Sequence, residues 1–490
     1  MKKMIILAVA IMLTGCSGKT EMKPIPTFPS ATELASMMDA GETSSVEIVT
    51  ELLRRAEQSA SLNAFITIDA ERALERAAEL DKMRSQGNIL GPLHGVPLVV
   101  KDNIHVAGLT NTAGTPGLAE FTPDSDSPTI LALKKAGAII LAKTNLHELA
   151  FGITSDNGAY GSVGNPFNPL MFAGGSSGGT ASAISAGLAP AGLGTDTGGS
   201  VRIPAALTGV VGFRPSSGRY DSSAVTPISH TRDTVGVIAR NVNDVIAMDQ
   251  AIDPGIVASD VDVASIRLGV ARSYYFENMD EQTAVVVEMA LDKLREAGVT
   301  LVEVGPGDVG ALNAKSAFPI ALYEVMQDLP AYLADFDTGK DFAAIASSAA
   351  SPDVQGLFGM LGTPEGQIPE EVYAAAMEAR KEMRIMFRDY FATHDLAGMI
   401  FPTTLLPARP IEGSLETVEL NGEQVPTFPT YIHNTDPATI AALPGISLPA
   451  GVTRDGLPVG IEIDGPEGSD RHLLAIAAAI EVILGFSARP

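Results

Sequence analysis

The chain has 490 residues with 33 Lys and Arg against 58 Asp and Glu, a formal net charge of −25; it is 46% apolar and holds one Cys and no Trp. That apolar content excludes a disordered chain, and the acidic balance excludes a phosphate-neutralising nucleic-acid face. A single Cys excludes an internal disulfide and any Cys-cluster zinc or iron–sulfur site.

The chain opens with Lys2 and Lys3, followed by an uncharged apolar run from Met4 to Leu13. Ten residues are too few to span a bilayer, which takes about 20, but they suit the hydrophobic part of a secretory signal. Leu13-Thr14-Gly15-Cys16 resembles the lipobox of bacterial lipoproteins, which implies cleavage before Cys16 and lipidation of its thiol. Ser17, next in line, resembles the outer-membrane sorting pattern. The expectation is an exported protein, lipid-anchored to a bacterial outer membrane and facing the periplasm. Residues 1–15 are the signal, 16–29 a polar, Pro-rich tether, and 30–490 one domain. Cleavage removes two lysines and no acids, so the mature chain carries about −27.

Beyond the tether, Ser44-x-x-Glu47 is a capping box, and Ile48, Val49, Leu52, Leu53 and Ala56 continue it with helical spacing. A second amphipathic helix is predicted over 70–86. Val96–Val100 reads as a buried strand, 129–136 as a helix and 138–142 as the next strand. Residues 170–215 are dense in Gly, Ser and Ala, which lets backbones approach closely. A strand–helix–strand unit is predicted over 266–304, a long helix over 369–391, strands at 399–401 and 460–463, and a terminal helix over 471–484. The alternation predicts an α/β fold, a sandwich around a large mixed, mostly parallel sheet. Residues 336–368 are the most irregular stretch and read as a lid or an insertion.

Chemistry concentrates between 91 and 204. The run Gly174-Gly175-Ser176-Ser177-Gly178-Gly179 precedes Gly198-Gly199-Ser200-Val201-Arg202 by 24 residues, Ser176 to Ser200. A serine hydroxyl needs a base to become a nucleophile, and Gly-Gly-Ser turns expose successive N–H groups that can hold an oxyanion. Lys101 ends an apolar strand, where desolvation favours the neutral amine that can serve as that base. Lys143, after a second strand, is the alternative. The Gly-x-Ser-x-Gly pattern at 174–178 also fits a nucleophile elbow, but that motif needs a strand directly before it. Here 165–169 reads Asn-Pro-Phe-Asn-Pro, which cannot be a central strand.

These segments closely resemble the amidase signature family, over nearly all of residues 30–490. The resemblance implies a Ser–cis-Ser–Lys triad: Lys101 as base, Ser176 as bridging serine with a cis peptide bond, Ser200 as nucleophile. It implies an oxyanion hole of backbone amides at Thr197, Gly198, Gly199 and Ser200. Asp196 and Arg202 hold the nucleophile turn, and Ser177 and Thr195 orient the relay. Ala150, Phe151 and Ile153 fall in the family's substrate channel and suit an apolar acyl pocket. Asp102 and Asn103 read as structural, and His94 and His147 as satisfied buried histidines. The resemblance implies neither metal nor other cofactor.

Residues 93–118, 148–155 and 226–240 are similar to the mandelamide amidase and indoleacetamide hydrolase branch. That branch cleaves primary amides of arylacetic acids. The expected partners are a small amide substrate and the membrane, without nucleic acid; a homodimer is compatible. Two other readings stay open: an amidotransferase A-type subunit, which shares the signature, and a non-catalytic solute-binding lipoprotein.

Overall fold

The computed structural model describes residues 29–258 and 261–490. Cys16, the signal segment and the tether up to residue 28 lie outside the described residues. Among those described, no helix is long and apolar enough to cross a membrane.

Eleven strands form the main sheet. They are β1 (Phe65–Ile68), β2 (Pro97–Lys101), β3 (Ile139–Thr144), β4 (Ala191–Asp196), β5 (Val211–Arg214), β6 (Thr234–Ala239), β7 (Arg267–Gly269), β8 (Thr300–Val302), β9 (Gly398–Pro402), β10 (Gly445–Val452) and β11 (Pro458–Asp464). Their spatial order is β1-β3-β2-β4-β6-β5-β10-β11-β9-β7-β8. Parallel pairing occupies two trios, β3-β2-β4 and β9-β7-β8. The other six neighbouring pairs are antiparallel. The sheet is mixed as expected, with less parallel pairing than the strand–helix alternation suggests. That alternation does not reveal a strand, such as β6, that returns antiparallel beside two neighbours.

The strands of the first trio are apolar up to their polar C-terminal ends, as suits a sheet covered on both faces. β2 (PLVVK), β3 (IILAKT) and β4 (AGLGTD) are buried at every position. The expected capping box forms: Ser44 Oγ accepts from the Glu47 N–H, and the Glu47 side chain accepts from the Ser44 N–H, opening the helix Ser45–Gln58. Helices α1 (Gly178–Ser185) and α2 (Arg202–Thr208) are buried throughout and pack on the sheet and on each other. Asn165 and the 168–172 stretch belong to a small two-stranded ribbon apart from the main sheet, so no strand of the main sheet feeds into the 174–179 run.

Three further helices build the cover over the site: α3 (Val309–Asp335), α4 (Phe342–Ser348) and α5 (Pro352–Leu361). α3 holds Pro319 and Pro330 inside its length, which hides it from a periodicity reading. The 336–368 stretch is ordered by packing. Ile345, Val354, Phe358 and Leu361 bury against Leu118, Leu149, Leu329 and Leu333. The buried Glu148 carboxylate also accepts the Ala350 and Ser351 N–H groups at 3.0 and 2.6 Å.

Candidate active site

Because β2, β3 and β4 run parallel, their C-terminal ends share one edge, the usual place for a site in such sheets. Lys101 closes β2 and Asp196 closes β4. The chain leaving β4 turns through residues 197–201 into α2. The 174–177 loop leads into α1 beside it.

Lys101 is fully buried. Its Nζ lies 2.7 Å from Ser176 Oγ and 2.7 Å from Thr195 Oγ1. Its hydrogen-bonding neighbours are hydroxyls, so desolvation dominates: burial lowers its pKa to about 7, against the opposing pull of Asp196 and Asp233. Lys143 has another role. Its Nζ lies 2.9 Å from Asp102 Oδ1, with both side chains buried, and it also donates to the Thr110 carbonyl at 3.2 Å and Asn111 Oδ1 at 3.1 Å. Lys143 is one half of a buried ion pair, whereas Lys101 faces the hydroxyls of Ser176 and Thr195.

The Gly175–Ser176 peptide bond is cis. The Ser176 carbonyl accepts from the His147 N–H at 3.1 Å. The glycines around it are dictated by close approach. A Cβ on Gly178 would stand 2.4 Å from Ser155 Oγ, and one on Gly179 would stand 2.3 Å from the Asn145 carbonyl oxygen. Ser177 Oγ donates to the Thr195 carbonyl at 3.2 Å, and the Ser177 N–H donates to the Ser200 carbonyl at 3.1 Å. Ser177 therefore ties the bridging loop to both β4 and the nucleophile turn. Asn103, read as structural, joins the relay: its Nδ2 donates to Thr195 Oγ1 at 3.1 Å.

Asp196 organises the turn. Its carboxylate accepts from the N–H groups of Gly199 at 2.9 Å and Val201 at 3.1 Å. Arg202 reaches it through Nε and Nη2, both at 3.0 Å, and Arg214 through Nη1 at 3.2 Å. Burial alone would raise the Asp196 carboxyl, but the two guanidiniums reverse that and hold it well below the carboxylate range. The bond from Gly199 corrects one expectation. Its N–H is committed to Asp196, so it is not an open oxyanion donor. Thr197, Gly198 and Ser200 border the cavity, and no described residue accepts their N–H groups.

Ser200 is 9% exposed where Lys101 and Ser176 are sealed, and of these three only Ser200 borders the cavity. It opens on a cavity of about 300 Å³, the lower end of the usual ligand-site range. Ala150, Phe151 and Ile153 line it as expected. Much of the remaining wall comes from segments that carry no motif: Phe318 and Leu322 of α3, Leu357 of α5, Phe428 and Ile432. Three charged residues border this apolar space: Arg232, Asp353 and Asp436. Arg232 pairs with Asp436, and Asp353 Oδ2 lies 2.9 Å from His147 Nε2. His147 sits behind the wall, against Gly152, where a Cβ would lie 2.2 Å from the imidazole ring. His94 is satisfied far from the cavity, between the Leu90 N–H at 3.1 Å and the Leu80 carbonyl at 3.0 Å.

Among the described residues, His230, Glu324 and Asp328 stand close enough to share a cation. Glu324 already accepts the hydroxyls of Ser229, Thr231 and Tyr373, and the group lies outside the cavity lining.

A model of the family described as Amidase matches residues 47–474. The chain belongs to the amidase family. It is 43% identical to the mandelamide hydrolase of Pseudomonas putida over 477 residues, covering 94% of this chain and 92% of that one. It is 41% identical to the indoleacetamide hydrolase of Agrobacterium vitis over 451 residues, 91% of this chain and 95% of that one. Among solved structures, the native peptide amidase from Stenotrophomonas maltophilia superposes with a TM-score of 0.81 at 29% identity, covering 94% of this chain and 98% of that one. The α/β amidase fold follows, as does the activity class: this amidase is a hydrolase acting on amide C–N bonds.

Proposed function

We propose that this amidase hydrolyses primary amides of arylacetic acids to the acid and ammonia, through an acyl-enzyme on Ser200. The observation that carries the reading is the division of the site. A buried lysine held by hydroxyls touches a sealed serine, and the next serine opens on an apolar cavity. Neutral Lys101 takes the Ser176 proton, and Ser176 takes the Ser200 proton as Ser200 Oγ attacks the carbonyl carbon. The amides of Thr197, Gly198 and Ser200 hold the oxyanion. Collapse expels ammonia, its nitrogen protonated through Ser176, and the same relay activates water to release the acid. Phe151, Phe318 and Phe428 suit an aromatic acyl group, and the named activities of the two relatives point the same way.

The test is ammonia release from phenylacetamide, mandelamide and indoleacetamide against alkyl and peptide amides, with a fluorophosphonate probe reporting Ser200. Arylacetamides should lead in kcat/KM and the probe should mark Ser200. Preference for a peptide amide would overturn the substrate class, and labelling elsewhere would overturn the nucleophile.

Export and lipid anchoring at Cys16 belong to the same proposal. Their support is the sequence around Cys16 alone: two lysines, a ten-residue apolar run and a lipobox-like end. In a bacterial host, globomycin should cause accumulation of a larger precursor. Cys16→Ala should abolish that response and release the protein from membranes, and unchanged membrane association would refute the anchor.

A further inference from the structure

Each peptide unit leading into Ser200 is gripped by its carbonyl. Arg214 Nη1 donates to the Asp196 carbonyl at 2.5 Å, and Arg232 Nε to the Thr197 carbonyl at 3.2 Å. Thr435 Oγ1 donates to the Gly198 carbonyl at 2.6 Å, and the Ile203 N–H to the Gly199 carbonyl at 2.8 Å. In a planar trans unit the C=O and N–H point in opposite directions. Each grip therefore aims one amide: that of Thr197, Gly198, Gly199 and Ser200 in turn. The third aim is visible directly, since the Gly199 N–H meets Asp196.

The Thr197–Gly198 unit most needs its grip. Glycine accepts nearly any φ, so this unit can rotate and present its carbonyl where its N–H belongs. Arg232 is equipped to prevent that. It is buried, Nη1 donates to the Ala317 carbonyl of α3 at 2.6 Å, and Nη2 donates to Thr439 Oγ1 at 3.1 Å and pairs with Asp436. Asp436 is itself held by Asn313 Nδ2 at 3.1 Å. With its charge matched by Asp436, Arg232 contributes geometry to the site.

We propose that Arg232 is a positioning residue for catalysis: through the Thr197 carbonyl it keeps the Gly198 N–H aimed at the oxyanion, and it ties that amide to the cavity wall at Ala317 and Asp436. The inference rests on the Ser200 acyl-enzyme reading. It needs a fork with Nε, so a lysine that keeps the charge beside Asp436 does not replace it.

The test compares the wild type with Arg232→Lys and Arg232→Ala, each checked for folding by near-ultraviolet circular dichroism. Deleting one oxyanion donor costs roughly 10²–10³ in kcat, and loosening one should cost about 10–100-fold. Arg232→Lys should show that loss in kcat, with KM and product-acid affinity held within about threefold. The rate of Ser200 phosphonylation by a fluorophosphonate should fall by the same factor. Methylguanidinium should restore part of the rate of Arg232→Ala. An unchanged phosphonylation rate in Arg232→Lys would overturn the proposal. A matching loss of product-acid affinity would also do so, since it would make Arg232 a ground-state binder. Should the wild type label at Ser200 yet hydrolyse no arylacetamide, the substrate reading fails, while the labelling rates still decide the role of Arg232.

Discussion

Lys101→Ala is expected to lower amide turnover by roughly 10²–10⁴-fold, the usual contribution of a general base, and Lys101→Arg should lower it as far. Arginine keeps the cation and the length but stays protonated, so the pair separates a base from a mere charge. The pH profile follows from burial. Desolvation brings the Lys101 pKa to about 7, and the active form is the neutral amine. kcat/KM should therefore rise through pH about 7 and level off above it. The same shift acts on the fold with a definite sign. A lysine whose folded pKa is depressed is destabilising in acid, where the buried site must take a proton. That cost fades as pH climbs from about 7 toward the unfolded value of 10.5. A flat profile between pH 6 and 8, or near-normal activity in Lys101→Ala, would remove Lys101 from the mechanism. Lys143→Ala makes the contrast: it strips Asp102 of its buried partner, so its main effect should be on stability.

What could be read from the chain was whatever the chemistry confines to short segments. Lys101, Ser176 and Ser200 lie in runs whose glycines, strand ends and spacing are local properties, and the structure brings Lys101 and Ser176 into contact and opens Ser200 to the cavity. Ala150, Phe151 and Ile153, which the family resemblance alone singles out, line the cavity. Arg232, Thr435 and Asp353 were not legible. Thr435 and Asp353 act across more than two hundred residues of sequence, on Gly198 and His147, and Arg232 lies in a segment whose likeness to relatives assigns it no role, where a lone arginine looks like any solvated charge. The two prolines of α3 masked a helix that supplies much of the cavity wall. The resemblance offers the Gly199 amide to the oxyanion along with its neighbours, and only the placement of the Asp196 carboxylate shows that this one is already used.

Asp196→Ala should be the most damaging change to the fold around the site, by about 3–5 kcal/mol, the range for removing one partner of a buried ion pair. Arg202 would keep Glu462, but Arg214 would keep only neutral acceptors, the Asp196 and Arg232 carbonyls and Ser217 Oγ. The acids nearby cannot take over. Burial pushes Glu462 up and Asp464 well above its ordinary range, with the neighbouring Glu462 adding to the latter, so burial works against the ionised form that would replace Asp196. Asp196→Asn separates charge from geometry. Its amide oxygen can still accept the Gly199 N–H, so the turn keeps part of its shape while the negative charge is lost. Urea unfolding should then rank the wild type above Asn and Asn above Ala, with activity falling in the same order. Equal stability of the wild type and Asp196→Ala would mean that the Arg202–Asp196–Arg214 cluster is not what holds the nucleophile turn. The sign with pH is the same as that of Lys101, in a lower pH window. The depressed Asp196 carboxyl stabilises the fold above the ordinary aspartate range and loses that effect only as pH falls toward its own low value. The two groups together therefore place the protein's weakness in acid, where Lys101 is also protonated and the relay is off.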